Sequence, residues 1–204
     1  MTEASTDEEL VQRMRAGNEA AFTMLYWRWQ RGLYRFALRM SGSPSIAEDV
    51  TQEVFMSLVG EMNRYDSARG SLCAYLFGIA RNQVRRALQK GEKHTGEAGG
   101  VEEQQEIHGK QIVAHDPLED LARTETTELV RQAVLTLPVH YREVVVLCDL
   151  QSMTYEQAAA VLECAVGTVR SRLHRAHAHL IEKLRTAHRS ESAPKRFSAA
   201  RCLS

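Results

Sequence analysis

The chain has 204 residues, 26 basic and 26 acidic, and a formal net charge of zero, so bulk charge gives no general attraction to nucleic acid. That length holds one large domain or two small ones. No apolar run is long enough to span a bilayer and the first ten residues are polar and acidic, so neither membrane insertion nor a signal peptide is expected.

Helical signals begin at once. Thr6 with Glu9 forms a capping-box signature ahead of Leu10, Val11 and Met14. Gly17 ends that turn and Asn18 can cap the next helix. Phe22, Leu25, Tyr26, Trp29, Leu33, Phe36, Ala37 and Met40 then recur at spacings of three and four. They make one apolar stripe on a helix of about six turns. Ser41-Gly-Ser-Pro44 breaks it. Ser45 with Glu48 is expected to cap a second helix, striped by Ile46, Val50, Val54, Phe55, Leu58 and Met62. Asn63 to Gly70 reads as a loop. Ser71 can cap a third helix with the stripe Leu72, Tyr75, Leu76, Ile79, Ala80 and Val84.

Residues 91–115 change character. Glycines sit among acids, amides and histidines without a period. Such a segment cannot offset its ordering entropy by burial and is expected to be a flexible acidic linker. Order returns at Asp116-Pro117, a cap followed by proline at the first helical position. Leu118, Leu121, Ala122, Leu129, Ala133 and Leu137 carry one helix to Pro138. Tyr141, Val144, Val145, Leu147 and Cys148 build another. From Ser190 the tail is polar and expected to fray. The fold class is therefore all-α: two small helical domains, at 8–90 and 116–187, joined by the linker and followed by a tail at 188–204.

The most informative stretch runs from Thr154 to Arg175. Thr154 and Gln157 form a capping box for a short helix of small residues. A tight turn follows, and then a helix loaded with Arg and His. This is the plan of a helix-turn-helix whose second helix fits the major groove. Ala158, Ala159, Leu162, Val166, Val169 and Leu173 can face inward. Thr168, Arg170, Ser171, Arg172, His174 and Arg175 then share the exposed faces. Arginine is the commonest base-reading residue and also a phosphate anchor. A helical hairpin with a solvated basic face would show some of the same pattern. Glu163 stands where Gly would ease the turn, and Ala165 where Ser or Thr would cap.

Charge is segregated along the chain. Arg81, Arg85, Arg86 and Lys90 stand in residues 81–90 without an acid, whereas residues 91–125 hold nine acids against Lys93, Lys110 and Arg123. On the second helix, Glu48, Asp49, Gln52 and Glu53 make an acidic face suited to a basic protein surface, or simply a solvated helix start. Asn63, Arg64, Tyr65, Arg69, Ser71 and Tyr75 mix aromatic, amide and basic groups before the Arg81–Arg86 stretch. That mixture suits unstacked single-stranded bases; a turn with a core tyrosine would read the same way. The four cysteines form no Cys-x-x-Cys pair and fit a reduced cytoplasm, with Cys148 and Cys164 expected as small core residues. His174, His177 and His179 lack metal-ligand spacing. No glycine-rich phosphate loop, nucleophile motif or carboxylate pair stands out. Neither an enzyme nor a cofactor is expected.

Three of these motifs in this order resemble a bacterial RNA polymerase sigma factor of the extracytoplasmic-function (ECF, group 4) type in the sigma-70 family. Ala47-Glu-Asp-Val-Thr-Gln-Glu-Val-Phe55 is similar to that family's core-polymerase-binding motif. The stretch from Arg64 to Asn82 is similar to its promoter-melting and −10 element. Leu137-Pro138 through Ala176 is similar to its −35 reader. The resemblance covers roughly residues 8–90 and 116–186. It implies a cytoplasmic factor that binds core polymerase, recognises two promoter elements and helps melt DNA. Glu48, Asp49, Gln52, Glu53 and Phe55 would dock on the clamp helices of the largest subunit, with a second contact at the flap. Asn63, Arg64, Tyr65 and Ser71 would hold a flipped −10 base. Tyr75, Arg81, Asn82, Arg85 and Arg86 would lie against the strand and upstream duplex. Thr168, Arg170, Ser171, Arg172, His174 and Arg175 would contact the −35 element. The linker would thread the polymerase channel, and an anti-sigma partner is expected. Leu72 and Tyr75 stand where many members carry Phe and Trp. The alternative is a helix-turn-helix regulator that needs no polymerase.

Overall fold

Several helices in this chain start where a side chain can answer a free N–H group, and the structure, a computed structural model, describes residues 5–60, 65–94 and 117–191. No strand occurs among the described residues. The order is α1 (Asp7–Arg15), α2 (Glu19–Ser41), α3 (Pro44–Gly60), α4 (Leu72–His94), α5 (Pro117–Leu135), α6 (Val139–Val145), a π-helical turn (Val146–Leu150), α7 (Tyr155–Leu162) and α8 (Val166–Glu191).

The expected caps form at α1, α2 and α4. Thr6 Oγ1 accepts from Glu9 N at 3.2 Å while the Glu9 carboxylate accepts from Thr6 N at 3.0 Å. Asn18 Oδ1 accepts from Ala21 N, and Ser71 Oγ from Ala74 N, each at 3.2 Å. At α3 the expectation needs correcting. The helix begins at Pro44, and Ser43 Oγ, not Ser45, accepts from Ile46 N at 3.4 Å. Proline at the first helical position has no N–H to satisfy and a preset φ, so it draws the start toward the N-terminus. The linker boundary also moves: α4 continues through His94. The rest of the expected linker, Asp116, and the tail beyond Glu191 lie outside the described residues.

Helices α1–α4 pack around Leu10, Leu25, Leu33, Phe36, Met40, Val54, Leu58 and Leu76, all essentially inaccessible to solvent. Each such side chain contributes about 1.5–3 kcal/mol by leaving water. Helices α5–α8 pack around Leu137, Val144, Val146, Leu147, Ala158, Val169 and Ala176. Cys148 and Cys164 are half-buried at the edge of this core. Burial pushes the Cys148 thiol up to about 11, with Asp149 adding to the rise, so it stays protonated near neutrality.

The two helix groups are not held apart. Helix α4 packs on α7, and α2 packs on α5, α6 and the π turn, so the buried side chains form one continuous cluster. Gly42 ends α2 in the left-handed conformation (φ +75°), where a β-carbon would also lie only 3.0 Å from Leu135 Cδ1. Glycine there both stops the helix and admits the neighbour. Helix ends leave carbonyls without partners, and arginines from across the seam answer some of them. Arg142 donates to Met40 O at 2.5 Å, near the end of α2, and to the carbonyls of Leu135 and Leu137. Arg39 donates to Leu150 O at 2.6 Å, at the end of the π turn. Gln151 Nε2 donates to Gly32 O at 3.1 Å. Burial lowers the pKa of both arginines, with Arg35 adding to the effect at Arg39.

Candidate nucleic-acid interface

Helices α7 and α8 form the expected hairpin. Thr154 and Gln157 close the capping box: Thr154 Oγ1 accepts from Gln157 N at 3.2 Å, and Gln157 Oε1 accepts from Thr154 N at 2.9 Å. Ala158, Ala159, Val161 and Leu162 of α7 bury against Val169, Leu173 and Ala176 of α8. Small residues on α7 let the two helices approach closely. Glu163 ends α7 in the left-handed conformation, φ 53° and ψ 45°. A side chain there costs roughly 1–2 kcal/mol. The turn pays this through Cys164 N, which donates to Ala159 O at 3.1 Å. At the start of α8, Ala165 O accepts from Thr168 N at 2.8 Å, but its methyl group cannot cap.

This packing turns one face of α8 outward. Arg170, Ser171, His174 and Arg175 are exposed, and Thr168 and Arg172 are half-buried. The Arg170 guanidinium stands 5.6 Å from the centre of the Tyr155 ring, a cation–π contact that ties α8 to the start of α7. Ser171 Oγ donates to Thr168 O at 3.1 Å. A backbone hydrogen bond, then the Thr154 hydroxyl and the Arg170 charge, hold the Glu156 carboxyl below the usual carboxylate range. Beyond this outward face, His177 and His179 find other partners. His177 Nε2 lies 2.7 Å from Asp149 Oδ2, and the His179 and Tyr141 rings are 5.3 Å apart. No group of three His, Cys, Asp or Glu among the described residues could hold a metal.

The second basic stretch fares differently. Asn82, Arg85 and Arg86 of α4 are exposed. Arg81 turns toward α6, where its Nε lies 2.7 Å from Glu143 Oε1. One expectation about an aromatic residue needs correcting. Tyr65 is 3% exposed: its ring lies 5.4 Å from that of Tyr75, and the Arg15 guanidinium donates to its carbonyl. Burial is the first cause of its raised pKa, ahead of the Glu8 and Asp7 charges. A ring so enclosed supports the loop and cannot stack on a base. Tyr75 is half-buried beside it, and Ser71 spends its hydroxyl on capping α4. Asn63 and Arg64 lie outside the described residues.

On α3, Glu48, Asp49, Gln52 and Glu53 are all exposed. Asp49, Gln52 and Glu53 line an open groove of about 560 Å³ with Met56, Ser57 and Gly60. Met56 and Val59 expose apolar surface beside the acids, at 61% and 45%. Sequence reasoning passed over both. Their signal was available: both lie off the buried stripe of α3. The expectation for Phe55 also needs correcting. It is 4% exposed and packs on Phe22 and Tyr26, with ring centroids 6.2 and 4.8 Å away, so it backs the acidic face instead of forming it.

Sigma-70 region 2 matches residues 25–94, and Sigma-70, region 4, matches residues 127–180. The ECF RNA polymerase sigma-E factor of Escherichia coli K12 is 31% identical over 189 residues, covering 90% of this chain and 97% of that protein. The chain belongs to the ECF branch of the sigma-70 family. Members are non-enzymatic initiation factors of RNA polymerase, and this sigma factor carries the DNA-binding region 4. Among solved structures it is similar to the sigma factor RpoE in complex with the anti-sigma factor NepR from Bartonella quintana. The TM-score is 0.63 at 28% identity, over 80% of this chain and 96% of that one. It shares its fold with CnrH, solved in complex with the cytosolic domain of CnrY, at a TM-score of 0.64 and 24% identity over 92% and 99% of the two chains. Among the described residues no helix is long and apolar enough to cross a membrane.

Proposed function

We propose that this sigma factor divides promoter opening between its two helix groups, residues 8–90 and 116–187. Asp49, Gln52 and Glu53, with Glu48 and the exposed Met56 and Val59, dock on the basic clamp helices of the largest polymerase subunit. The acids steer the encounter, and the apolar rim supplies area that leaves water on docking. The loop at 63–71 and the exposed face of α4 engage the melted −10 strand. Helix α8 lies in the major groove of the −35 element. The exposed Arg170 and Arg175 contact phosphate or base edges, and the half-buried Arg172 reads a base. The segment between the groups runs through the polymerase, and an anti-sigma protein masks these faces in the cytoplasm until a signal arrives.

The observation that carries this reading is the pairing of two exposed faces of opposite charge on one chain. The α8 face is aimed by a capped hairpin, and the α3 face is backed by the buried Phe55, packed on the half-buried Phe22 and Tyr26. The test is transcription in vitro from a matched promoter with core polymerase plus this chain. Specific initiation is expected. No initiation, with no co-elution with core enzyme on gel filtration, refutes it.

A further inference from the structure

Arginines on a helix attract phosphate when nothing nearer answers their charge. On α4 something does. Glu143 of α6 sets its Oε1 2.7 Å from Arg81 Nε and 4.0 Å from Arg85 Nε. Glu143 is 1% exposed, and a carboxylate at that depth needs an opposite charge beside it. Both of those charges come from the other helix group, so the need is met only while the groups are packed together. The carboxylate offers Arg81 what a nucleic-acid backbone would offer, a negative charge and an oxygen acceptor at hydrogen-bonding distance, while the exposed Arg85 at 4.0 Å feels only its charge.

We propose that Glu143 is a built-in phosphate mimic that latches the second helix group onto α4, so that Arg81 is withheld from DNA until the two groups separate. This rests on the reading of the α4 arginines as DNA contacts. The remaining bonds across the seam, Arg39 to Leu150 O, Arg142 to Met40 O and Gln151 to Gly32 O, end on backbone carbonyls that water can take over on opening. The Glu143 pair is different in kind, because it occupies a group needed elsewhere.

Promoter geometry requires the same separation. Elements at −10 and −35 are about 25 base pairs apart, roughly 85 Å of duplex. A packed chain of this length has a radius of gyration of about 17 Å. The closed arrangement cannot lay α4 and α8 on both elements at once. Residues 95–116 can bridge at most roughly 75 Å when extended, and the helix groups themselves cover the remainder. In the open form Arg81 gains phosphate, and Glu143 gains water. A strand binding only the open form sees an apparent affinity reduced by the fraction of chains that are open.

The test uses the full chain and a fluorescein-labelled single-stranded DNA oligonucleotide, with small-angle X-ray scattering for shape and fluorescence anisotropy for binding. Glu143→Gln keeps the side-chain volume and removes the charge. It should enlarge the radius of gyration and bind the strand about ten-fold more tightly, as for a chain whose open form is otherwise about a tenth of the population. Saturating strand should also enlarge the wild-type chain, an arm that does not depend on the variant folding. Strand binding to the wild type with no change in radius overturns the latch. So does a wild-type affinity in Glu143→Gln while Arg85→Ala still weakens binding; in that case the DNA reading of α4 stands. An opened variant that binds no strand at all removes the DNA reading of α4, and the latch with it.

Discussion

Helices α4 and α8 carry nearly the same signal and meet different fates. One holds Arg81, Arg85 and Arg86 within six residues, and the other holds Arg170, Arg172 and Arg175. On α8 the basic face is open to solvent at Arg170, His174 and Arg175. On α4 the first arginine is turned to a carboxylate 62 residues away in sequence. An arginine run therefore states that a helix has a polar face. What stands opposite that face is decided by packing.

The largest expected effect removes the partner that would bring both helices to one promoter. Asp49→Arg with Glu53→Arg should abolish initiation in a core-polymerase assay while leaving binding to a −35 duplex unchanged. Retained initiation would leave α4 and α8 as parts of a polymerase-independent regulator. Next in size is the seam that distinguishes the two helices. Arg142→Ala leaves three carbonyls without their charged donor and should cost about 2–3 kcal/mol in urea denaturation. A loss below about 0.5 kcal/mol, the range of an ordinary surface change, would mean that water replaces this arginine freely.

On the open helix, Arg172→Ala should cost about 1–3 kcal/mol of −35 duplex binding and relax specificity at one base pair. Equal losses on every sequence, with a shallower salt dependence, would make it a phosphate contact like the one expected of Arg85. The smallest effect concerns the turn that aims α8. Glu163→Gly relieves the left-handed side chain and should raise thermal stability by about 1 kcal/mol without changing the −35 preference. A changed preference would show that Glu163 sets the pose of α8 as well as ending α7.

Much of the architecture was legible residue by residue. Thr6, Asn18, Ser71 and Thr154 marked helix starts because capping is local chemistry between neighbours in sequence. Position 163 was legible as a strained turn because the left-handed conformation penalises any β-carbon. The acidic α3 face and the basic α8 face were legible because helical periodicity alone sorts their residues from the buried stripe. Start sites governed by two competing signals were less legible: Ser45 has the sequence of a cap, but Pro44 preempts it.

Long-range packing was not legible at all. Phe55 lies on the apolar stripe of its helix, but nothing local shows that Phe22 and Tyr26 pack on it, or that Arg15 and Tyr75 enclose Tyr65. Nor does sequence reveal that Glu143 reaches Arg81, or that Arg39 and Arg142 exchange carbonyls across the seam. The sequence by itself determined which segments are helical, where the capped ones begin, and which faces are charged, since those depend on contacts within a few residues. Only the tertiary structure decided which charges stay free and that two expected domains share one core, because a charge and an apolar face are each satisfied by whatever the rest of the chain brings near.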